Sequence, residues 1–351
     1  MRLPARGRAL AATGFTLLPV VLAMSLIAAT AFMLNRDNGA RANSLIAQSD
    51  LTRARYAAEA GLQAVNYAIQ GLGCAGTYPI SSSPVTDSNF GGAAYSAHAG
   101  NTTGSPLTLT STGTYKGASV TLTKANAYVY QSGVRTWVTQ PGPAASKDSY
   151  VAANRSTESY GGSIDLVLEK NKADILIAFD LSPLPAGSRI VRWYQALGGL
   201  QPGASISLYQ QNILILNETA SLKLVTRDWV AGTHSGTVPT AGNPGVTWDR
   251  WDGVSPNTWP QGPGLGYDPR TLAVVPLPLL VGWLNIDVTD AAVGWTSGGY
   301  PNYGVWLIAS GATQLYRYTS SNENSLFGLN AWQRPKLTAS YLLPCGATAP
   351  A

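Results

Sequence analysis

Residues 15–34 of the chain read FTLLPVVLAMSLIAATAFML and include no charged side chain. A helix of this length, at about 1.5 Å per residue, covers the roughly 30 Å hydrocarbon core of a bilayer. The preceding residues, 1–14, contain Arg2, Arg6 and Arg8 and no acidic residue, and basic residues beside a span favour the cytoplasmic side. The sequence therefore predicts a membrane-spanning helix with a cytoplasmic N-terminus.

The helical pattern continues beyond this span, whereas a cleaved secretory signal would leave no helix behind. After a short polar break at residues 35–39, apolar side chains recur at steps of three and four residues, as on one face of an amphipathic helix. They are Leu51, Ala54, Ala58, Leu62, Val65 and Ile69. Gly71 and Gly73 are expected to end the pattern, so the helix is predicted over residues 15–71.

The junction between Gly14 and Phe15, followed by Thr16-Leu17-Leu18 and this helix, resembles the class III signal of type IV pilins and pseudopilins. The stretch YAAEAGLQAVNYAI at residues 56–69 is similar to the corresponding helix of PilX-type minor pilins. The resemblance implies that prepilin peptidase removes residues 1–14 as a leader and methylates Phe15. It also implies that the helix then leaves the inner membrane, through the pilus assembly machinery, to pack with other pilin subunits in an extracellular filament.

The fifth residue after the expected cut is Pro19, where the pilin family usually has glutamate. In the family that glutamate interacts with the terminal amine of a neighbouring subunit during assembly. Members without it tend to be minor subunits, including those at the pilus tip. Proline is also tolerated in the first turns of any helix, because the donor that it lacks has little or no partner there. The alternative is a plain signal anchor on a cell-surface protein.

The composition favours a loop-rich β protein beyond the helix. Charged residues make up only 12% of the 351 residues, aromatic residues make up 9%, and there are 37 glycines and 22 prolines. The formal net charge of +5 includes the three leader arginines. Because no basic stripe remains, the sequence argues against nucleic acid as a partner.

The two cysteines, Cys74 and Cys345, both lie beyond the predicted span, in what would be an oxidising compartment. A disulfide between them would join the end of the chain to the top of the helix. The alternative is a pair of free or intermolecular thiols.

Residues 72–130 are predicted to form a small pilin-like β region. Its β-forming runs fit two or three antiparallel strands joined at Lys116-Gly117, and a sheet this small needs a helix against one face. The run QPGPAA at residues 140–145 suggests a linker over residues 131–147. Residues 148–343 contain many short candidate strands and no convincing helix, as in a jelly-roll β-sandwich, and residues 344–351 form a tail.

Several phrases of residues 148–343 resemble the DNRLRE family, which is related to a carbohydrate-binding module family. They are DSYV at 148–151, SYGG at 159–162, ILIAFDLSPLPAGSRI at 175–190, DW at 228–229, VTW at 246–248, IDVT at 286–289 and RPKL at 334–337. The resemblance implies a jelly-roll module of surface proteins that in some members binds polysaccharide, and it implies no catalysis. It departs around residues 254–280, an insertion rich in proline and glycine that is expected to lie on the surface.

Flat aromatic side chains in a loop are candidates for stacking on a sugar, with a few polar groups to fix its orientation. Trp251, Trp259 and Tyr267 lie among turn residues, which leave little way to bury every ring; the alternative is packing over the edge of the sandwich. Asp249 and Asp252 flank Trp251 and offer oxygen atoms to calcium or to a sugar hydroxyl, although two carboxylates do not make a coordination set. Tryptophans in β-forming runs are expected in the core: Trp229, Trp248, Trp283, Trp295 and Trp306.

Signals for catalysis are weak. The two histidines, His98 and His234, have neither zinc-binding nor triad spacing, and no Gly-x-Ser-x-Gly elbow occurs. We therefore expect a minor type IV pilin without enzymatic activity or a required cofactor, displaying a β-sandwich for adhesion or glycan binding. The alternatives are a signal-anchored surface lectin that never enters a filament, and a polysaccharide lyase or hydrolase carried on a pilus.

Overall fold

The computed structural model describes residues 17–142, 145, 147–196, 198–216, 218–310, 314–323 and 330–350. The expected leader and the Gly14–Phe15 junction lie outside the described residues. The chain divides into two compact units. The first contains the residues up to Leu72 together with Thr77–Thr102 and Leu107–Ala127, and the second contains Gly73–Gly76, Thr103–Pro106 and the chain from Tyr128 onward.

The first unit begins with one continuous helix, α1 (Leu17–Leu72). At about 1.5 Å per residue it is roughly 84 Å long. The helix continues through the polar residues 35–39, as expected, because polar side chains are compatible with a helix and the one glycine in this stretch costs only about 1 kcal/mol. The helix ends at Leu72, and Gly73 follows in the left-handed conformation that commonly ends helices. By length and composition, α1 is able to cross a membrane.

An antiparallel four-stranded sheet completes the first unit, where two or three strands were expected. Its strands, hydrogen-bonded in chain order, are β1 (Val85–Phe90), β2 (Ala93–Ala99), β3 (Leu107–Tyr115) and β4 (Ala118–Ala127). The predicted turn at Lys116-Gly117 does join β3 to β4, and both residues have positive φ angles, of 45° and 84°. Two such residues form the tight hairpin turn that matches the twist of the strands.

The C-terminal half of α1 packs on β3 through very small side chains. Ala54 and Ala58 are fully buried, and Gly113 of β3 lies directly against their backbone atoms. A side chain at Gly113 would collide with the carbonyl oxygen of Ala54 and the amide of Ala58. Helix and strand therefore touch backbone to backbone, which only glycine permits at this position.

The buried face of α1 is rotated slightly from the predicted one. Ala57 is fully buried and Gly61 is also buried, whereas Leu51 is 48% exposed and Leu62 is only half-buried. The other predicted positions, Ala54, Ala58, Val65 and Ile69, are fully buried, and the close approach of β3 favours alanine and glycine over leucine at residues 54–61.

The second unit consists mainly of two antiparallel sheets. One has seven strands: β5 (Arg135–Thr139), β7 (Asp165–Leu168), β9 (Arg189–Ile190), β12 (Ala204–Gln210), β15 (Gly282–Asp287), β17 (Tyr316–Thr319) and β18 (Lys336–Leu342). The other has five: β6 (Lys147–Ala152), β8 (Ala173–Ala178), β13 (Thr219–Leu224), β14 (Ala273–Pro276) and β16 (Val305–Ala309). The remaining elements are β10 (Trp193–Gln195), β11 (Gly199–Gln201), α2 (Thr289–Thr296) and two short 3-10 turns, Ala153–Arg155 and Ala331–Gln333.

Alternate side chains of the two sheets share one apolar core. Ile206 and Leu208 of the seven-stranded sheet are buried in the same cluster as Ile175 and Ile177 of the five-stranded sheet. A shared core between facing sheets is the arrangement of a β-sandwich. The helix α2 was not expected in this region; Ala291 and Ala292 place it against the core.

The predicted linker at residues 131–147 contains a strand of the sandwich instead. β5 pairs with β18, and Trp137 lies opposite Ala339 in that pairing. Trp137 is 7% exposed and belongs to the shared core. The proline-rich run that suggested a linker begins only after this strand, so the domain starts earlier than expected.

Cys74 and Cys345 form a disulfide, with their Cα atoms 5.4 Å apart. Both cysteines belong to the second unit. The end of the chain is also held by backbone hydrogen bonds: the amide of Gln131 donates to Leu343 and the amide of Cys345 donates to Val129. The predicted tail is therefore tied to the sandwich at its beginning.

Replacing Gly113 by alanine should selectively destabilise the first unit, because the new methyl group meets helix backbone that cannot rotate away. We expect a loss of ~1–3 kcal/mol, as for other overpacked sites, seen as faster hydrogen exchange in β3 and β4. All ten tryptophans lie in the second unit, so tryptophan emission should follow an unchanged unfolding transition. Thr114→Ala, at the next, exposed position, is the matched control; equal exchange in the two variants would contradict the close contact.

Candidate functional site

The segment between β13 and β14 forms a third layer over the outer face of the five-stranded sheet. Its side chains make a second apolar core with Val151, Leu176 and Trp306 of that sheet. The expectation that residues 254–280 form a surface insertion is thus wrong in part. Trp259 from this stretch is buried in the layer, and β14 pairs with β13.

The three aromatic residues proposed for sugar stacking belong to this layer. Trp259 is 1% exposed, donates from Nε1 to the carbonyl oxygen of Thr247 at 3.2 Å and packs edge-on against Trp306. The expectation that its ring would be accessible is wrong, because the turns around it fold inward over the sheet. No face of this ring is open to a ligand.

Cations lie over the other two rings. The Arg227 guanidinium is 4.6 Å from the centroid of the Trp251 ring, and the Lys223 ammonium is 4.8 Å from that of Tyr267. Such cation–π contacts occupy one face of each ring. Tyr267 also packs edge-on against Trp306, so the two rings contribute to the third layer and not to an open platform.

The carboxylates beside Trp251 organise the loop. Asp252 is buried and accepts hydrogen bonds from the amide of Val254 at 2.9 Å and from the Asn257 side chain at 2.7 Å. Asp249 accepts from the Ser156 hydroxyl at 2.9 Å. Within the described part of the chain, no three His, Cys, Asp or Glu side chains gather as a metal site would require.

One carboxylate beneath the third layer has unusual surroundings. Asp174 of β8 is 5% exposed and accepts a hydrogen bond from Nε1 of Trp306 at 3.1 Å. Burial raises the pKa of Asp174 to about 7, and the hydrogen bond from Trp306 offsets only part of this effect. The third layer therefore covers a group that the fold prefers to keep neutral.

The outer face of the seven-stranded sheet carries a different aromatic cluster. Tyr209 of β12 and Trp283 of β15 lie opposite each other in register, with ring centroids 5.4 Å apart. Trp332, in the 3-10 turn before β18, has its centroid 5.0 Å from that of Tyr209 and 6.3 Å from that of Trp283. All three pairs meet edge to face, a favourable geometry for aromatic rings.

A row of polar side chains lies beside these rings. Ser207 is opposite both Asn285 and Lys336 in the pairing of the strands, and its hydroxyl donates to the Asn285 side chain at 2.6 Å. The Lys336 ammonium lies 4.1 Å from the centroid of Trp283. We call these six residues the aromatic face: Ser207, Tyr209, Trp283, Asn285, Trp332 and Lys336.

Trp332 is the most accessible ring of the aromatic face, with 53% of the residue exposed. Its backbone is nevertheless fixed, because the side-chain amide of Gln140 donates to the carbonyl oxygens of Trp332 at 2.8 Å and Arg334 at 2.6 Å. Lys336 covers one face of Trp283, so Trp283 and Tyr209 serve mainly as edge-on supports. The aromatic face thus presents one open ring, two supporting rings, an exposed amide on Asn285 and the ammonium group of Lys336, while Ser207 is buried beneath them.

The sequence does indicate part of this face, but the prediction made for Trp283 is wrong. Trp283 was expected in the core because it lies in a β-forming run. In a strand, however, Leu284 and Ile286 point inward, so Trp283 and Asn285 must point outward. Tyr209 follows the same alternation after Leu208, whereas no periodicity marks Trp332, which lies in a turn.

No protein-family model matches the chain, and no curated protein matches it either. The pilin and DNRLRE resemblances therefore stay expectations.

The raised pKa of Asp174 predicts a pH-dependent stability. The folded state holds the proton more tightly than an unfolded carboxyl group, so the contribution of Asp174 to the free energy of unfolding should be complete below about pH 4 and should be lost as the pH rises towards 7. This contribution is at most about 1.4 kcal/mol per pH unit. Asp174→Asn, which keeps an acceptor for Trp306, should be more stable than the wild type at pH 8.

Urea denaturation at a series of pH values, followed by tryptophan emission, measures this difference. Asp180→Asn removes the same charge from an exposed position and controls for net charge. A wild type and Asp174→Asn variant with parallel stability curves between pH 4 and pH 8 would show that the carboxylate is ionised without cost in the fold.

Proposed function

We propose that the chain is a minor subunit of the type IV pilin kind that displays its second unit on the cell surface to bind glycans. The observation that carries this proposal is the division of α1 into two halves. The C-terminal half is covered by the four-stranded sheet, and the N-terminal half is apolar and uncovered.

The exposed half of α1 is too apolar for water. Ile27 is 67% exposed and Phe32 is 71% exposed, and their neighbours are similar: Val20, Val21, Leu22, Met24, Leu26, Met33, Leu34, Leu45 and Ile46. An exposed apolar surface of this extent favours burial in lipid or against other proteins. A pilin helix uses both environments in turn, because it is stored in the inner membrane and then packs among like helices in an extracellular filament.

The aromatic face supports glycan binding by the second unit. A sugar ring presents C–H groups on its flat side and hydroxyls on its edge, which match an exposed indole beside polar side chains. Trp332 offers the stacking surface, while Asn285 and Lys336 offer hydrogen bonds; the buried Ser207 hydroxyl holds the Asn285 side chain in place. Binding of this kind requires no catalytic group and no cofactor.

The expected place of the subunit is at the tip or at sparse positions of a filament. The second unit extends from Tyr128 to the end of the chain, and a body of this size would crowd neighbouring copies along a shaft. Pro19 also supports this position, because pilins that lack the usual glutamate there tend to be minor subunits, including those at the pilus tip. The alternative, a signal-anchored surface glycan-binding protein, shares the aromatic face and differs only in the fate of the helix.

The mature N-terminus distinguishes these two functions. Protein recovered from sheared surface filaments should begin at Phe15, methylated on its amine, and should retain residues 1–14 in cells that lack prepilin peptidase. Mass spectrometry of the N-terminal peptide makes this measurement. If the chain recovered from its final location still begins with Met1, the result would favour the signal-anchored protein.

Trp332→Ala should weaken binding to a surface polysaccharide at least tenfold, a loss of about 1.4 kcal/mol, because it removes the open ring. Trp283→Ala should give a smaller loss, since Trp283 mainly supports the other rings. Tyr194→Ala, which removes a 74% exposed ring elsewhere in the second unit, is the control. A glycan array followed by calorimetry measures these affinities. Equal binding by all three variants would show that the aromatic face is not the glycan-binding site.

A further inference from the structure

The disulfide places the exposed tryptophan of the aromatic face at a short covalent distance from α1. Trp332 precedes β18 by only a few residues, and Cys345 follows β18 by only a few more. Cys345 is bonded to Cys74, which lies two residues beyond the end of α1 at Leu72. A continuous path therefore runs from Trp332 along β18, through the disulfide, into α1.

β18 is well placed to bear load along this path. It is paired with β12, β5 and β9 in the seven-stranded sheet. A pull along a strand that is bonded on both sides acts on many backbone hydrogen bonds at once, although each contributes only ~1 kcal/mol. The same strand holds Lys336 of the aromatic face at one end.

Without the disulfide, the only covalent path from α1 to Trp332 runs through most of the chain. It leaves the first unit after Leu72, returns to it at Thr77 and Leu107, and leaves it finally after Ala127. The strands β1 to β4 would then lie in series between the two ends. Tension would act directly on a sheet held to α1 by small apolar side chains.

We propose that the Cys74–Cys345 disulfide transmits tension between a surface-bound second unit and α1, so that β1 to β4 lie outside the path of tension. This inference rests on the proposed function for its source of tension, a bound glycan at one end and an anchored helix at the other. The disulfide thereby acts in mechanical protection, in addition to the roughly 5 kcal/mol that closing so long a loop contributes on the chain-entropy model.

Single-molecule force spectroscopy on the full chain in nanodiscs tests this proposal without a glycan. Azide-bearing residues introduced at Gln48 of α1 and at position 332 accept covalent handles, so a failure of glycan binding does not affect the result. With the disulfide closed, the segments 48–74 and 332–345 together can extend by at most ~14 nm, at about 3.6 Å per residue. Opening the disulfide raises the limit to ~100 nm.

We expect the oxidised chain to hold within the shorter limit until the tether breaks. The same molecules after reduction with dithiothreitol, and the Cys74→Ser/Cys345→Ser variant, should unfold at clearly lower force, with a step of ~18 nm for residues 77–127. Reduction of the folded wild-type chain on the instrument still tests the proposal if the double variant does not fold. Handles at Gln48 and Lys116 are joined directly along the chain whether or not the disulfide is closed, so they should give the same unfolding force in either redox state.

Two results would overturn the proposal. If the reduced chain withstands the same force as the oxidised one, non-covalent contacts already carry the load and the disulfide is not the link. If the oxidised chain extends beyond ~14 nm, the covalent path does not exist.

Discussion

Contact between the backbones of α1 and β3 determines how the first unit is built. Gly113 lies against Ala54 and Ala58, and no larger side chain fits between them. The contact covers only the C-terminal half of the helix. Because the four-stranded sheet packs against that half, the large apolar side chains described between Val20 and Ile46 are exposed, and the requirement for an external cover follows from this arrangement.

The outer faces of the two sheets of the second unit differ in how far they are covered. The third layer covers the five-stranded sheet with Trp259 and Tyr267, and cations lie over the rings that approach the surface. The seven-stranded sheet has instead an aromatic cluster on its outer face, with Trp332 half exposed. The same residue types thus lie in a core in one place and on an outer face in the other.

Sequence patterns predicted the elements that depend on local chemistry. The helix, its end near Gly73 and the hairpin at Lys116-Gly117 follow from periodicity and from residues that accept positive φ angles. The pattern did not predict the strand around Trp137, because a neighbouring proline run suggested a linker. It also placed sugar stacking on Trp259, since no local signal shows that a long loop folds back onto a sheet.

Long-range packing explains why the aromatic face was missed. Tyr209, Trp283 and Trp332 come from three separate segments, and only the register of β12 against β15 brings the first two together. Trp332 joins them because Gln140, from the end of β5, fixes the turn that carries it. Alternation along β15 was enough to place Trp283 outside, but not to show which rings would be its neighbours.

We propose that other helices bury the uncovered half of α1 once the protein reaches its final location. A photo-crosslinking residue at Ile27 tests this burial, with Tyr194 as a control position exposed in the second unit. We predict crosslinks to lipid in the membrane fraction and to the apolar helices of other pilin-like chains in sheared filaments. Crosslinks to lipid alone in every fraction would contradict the claim and leave α1 as a permanent membrane anchor.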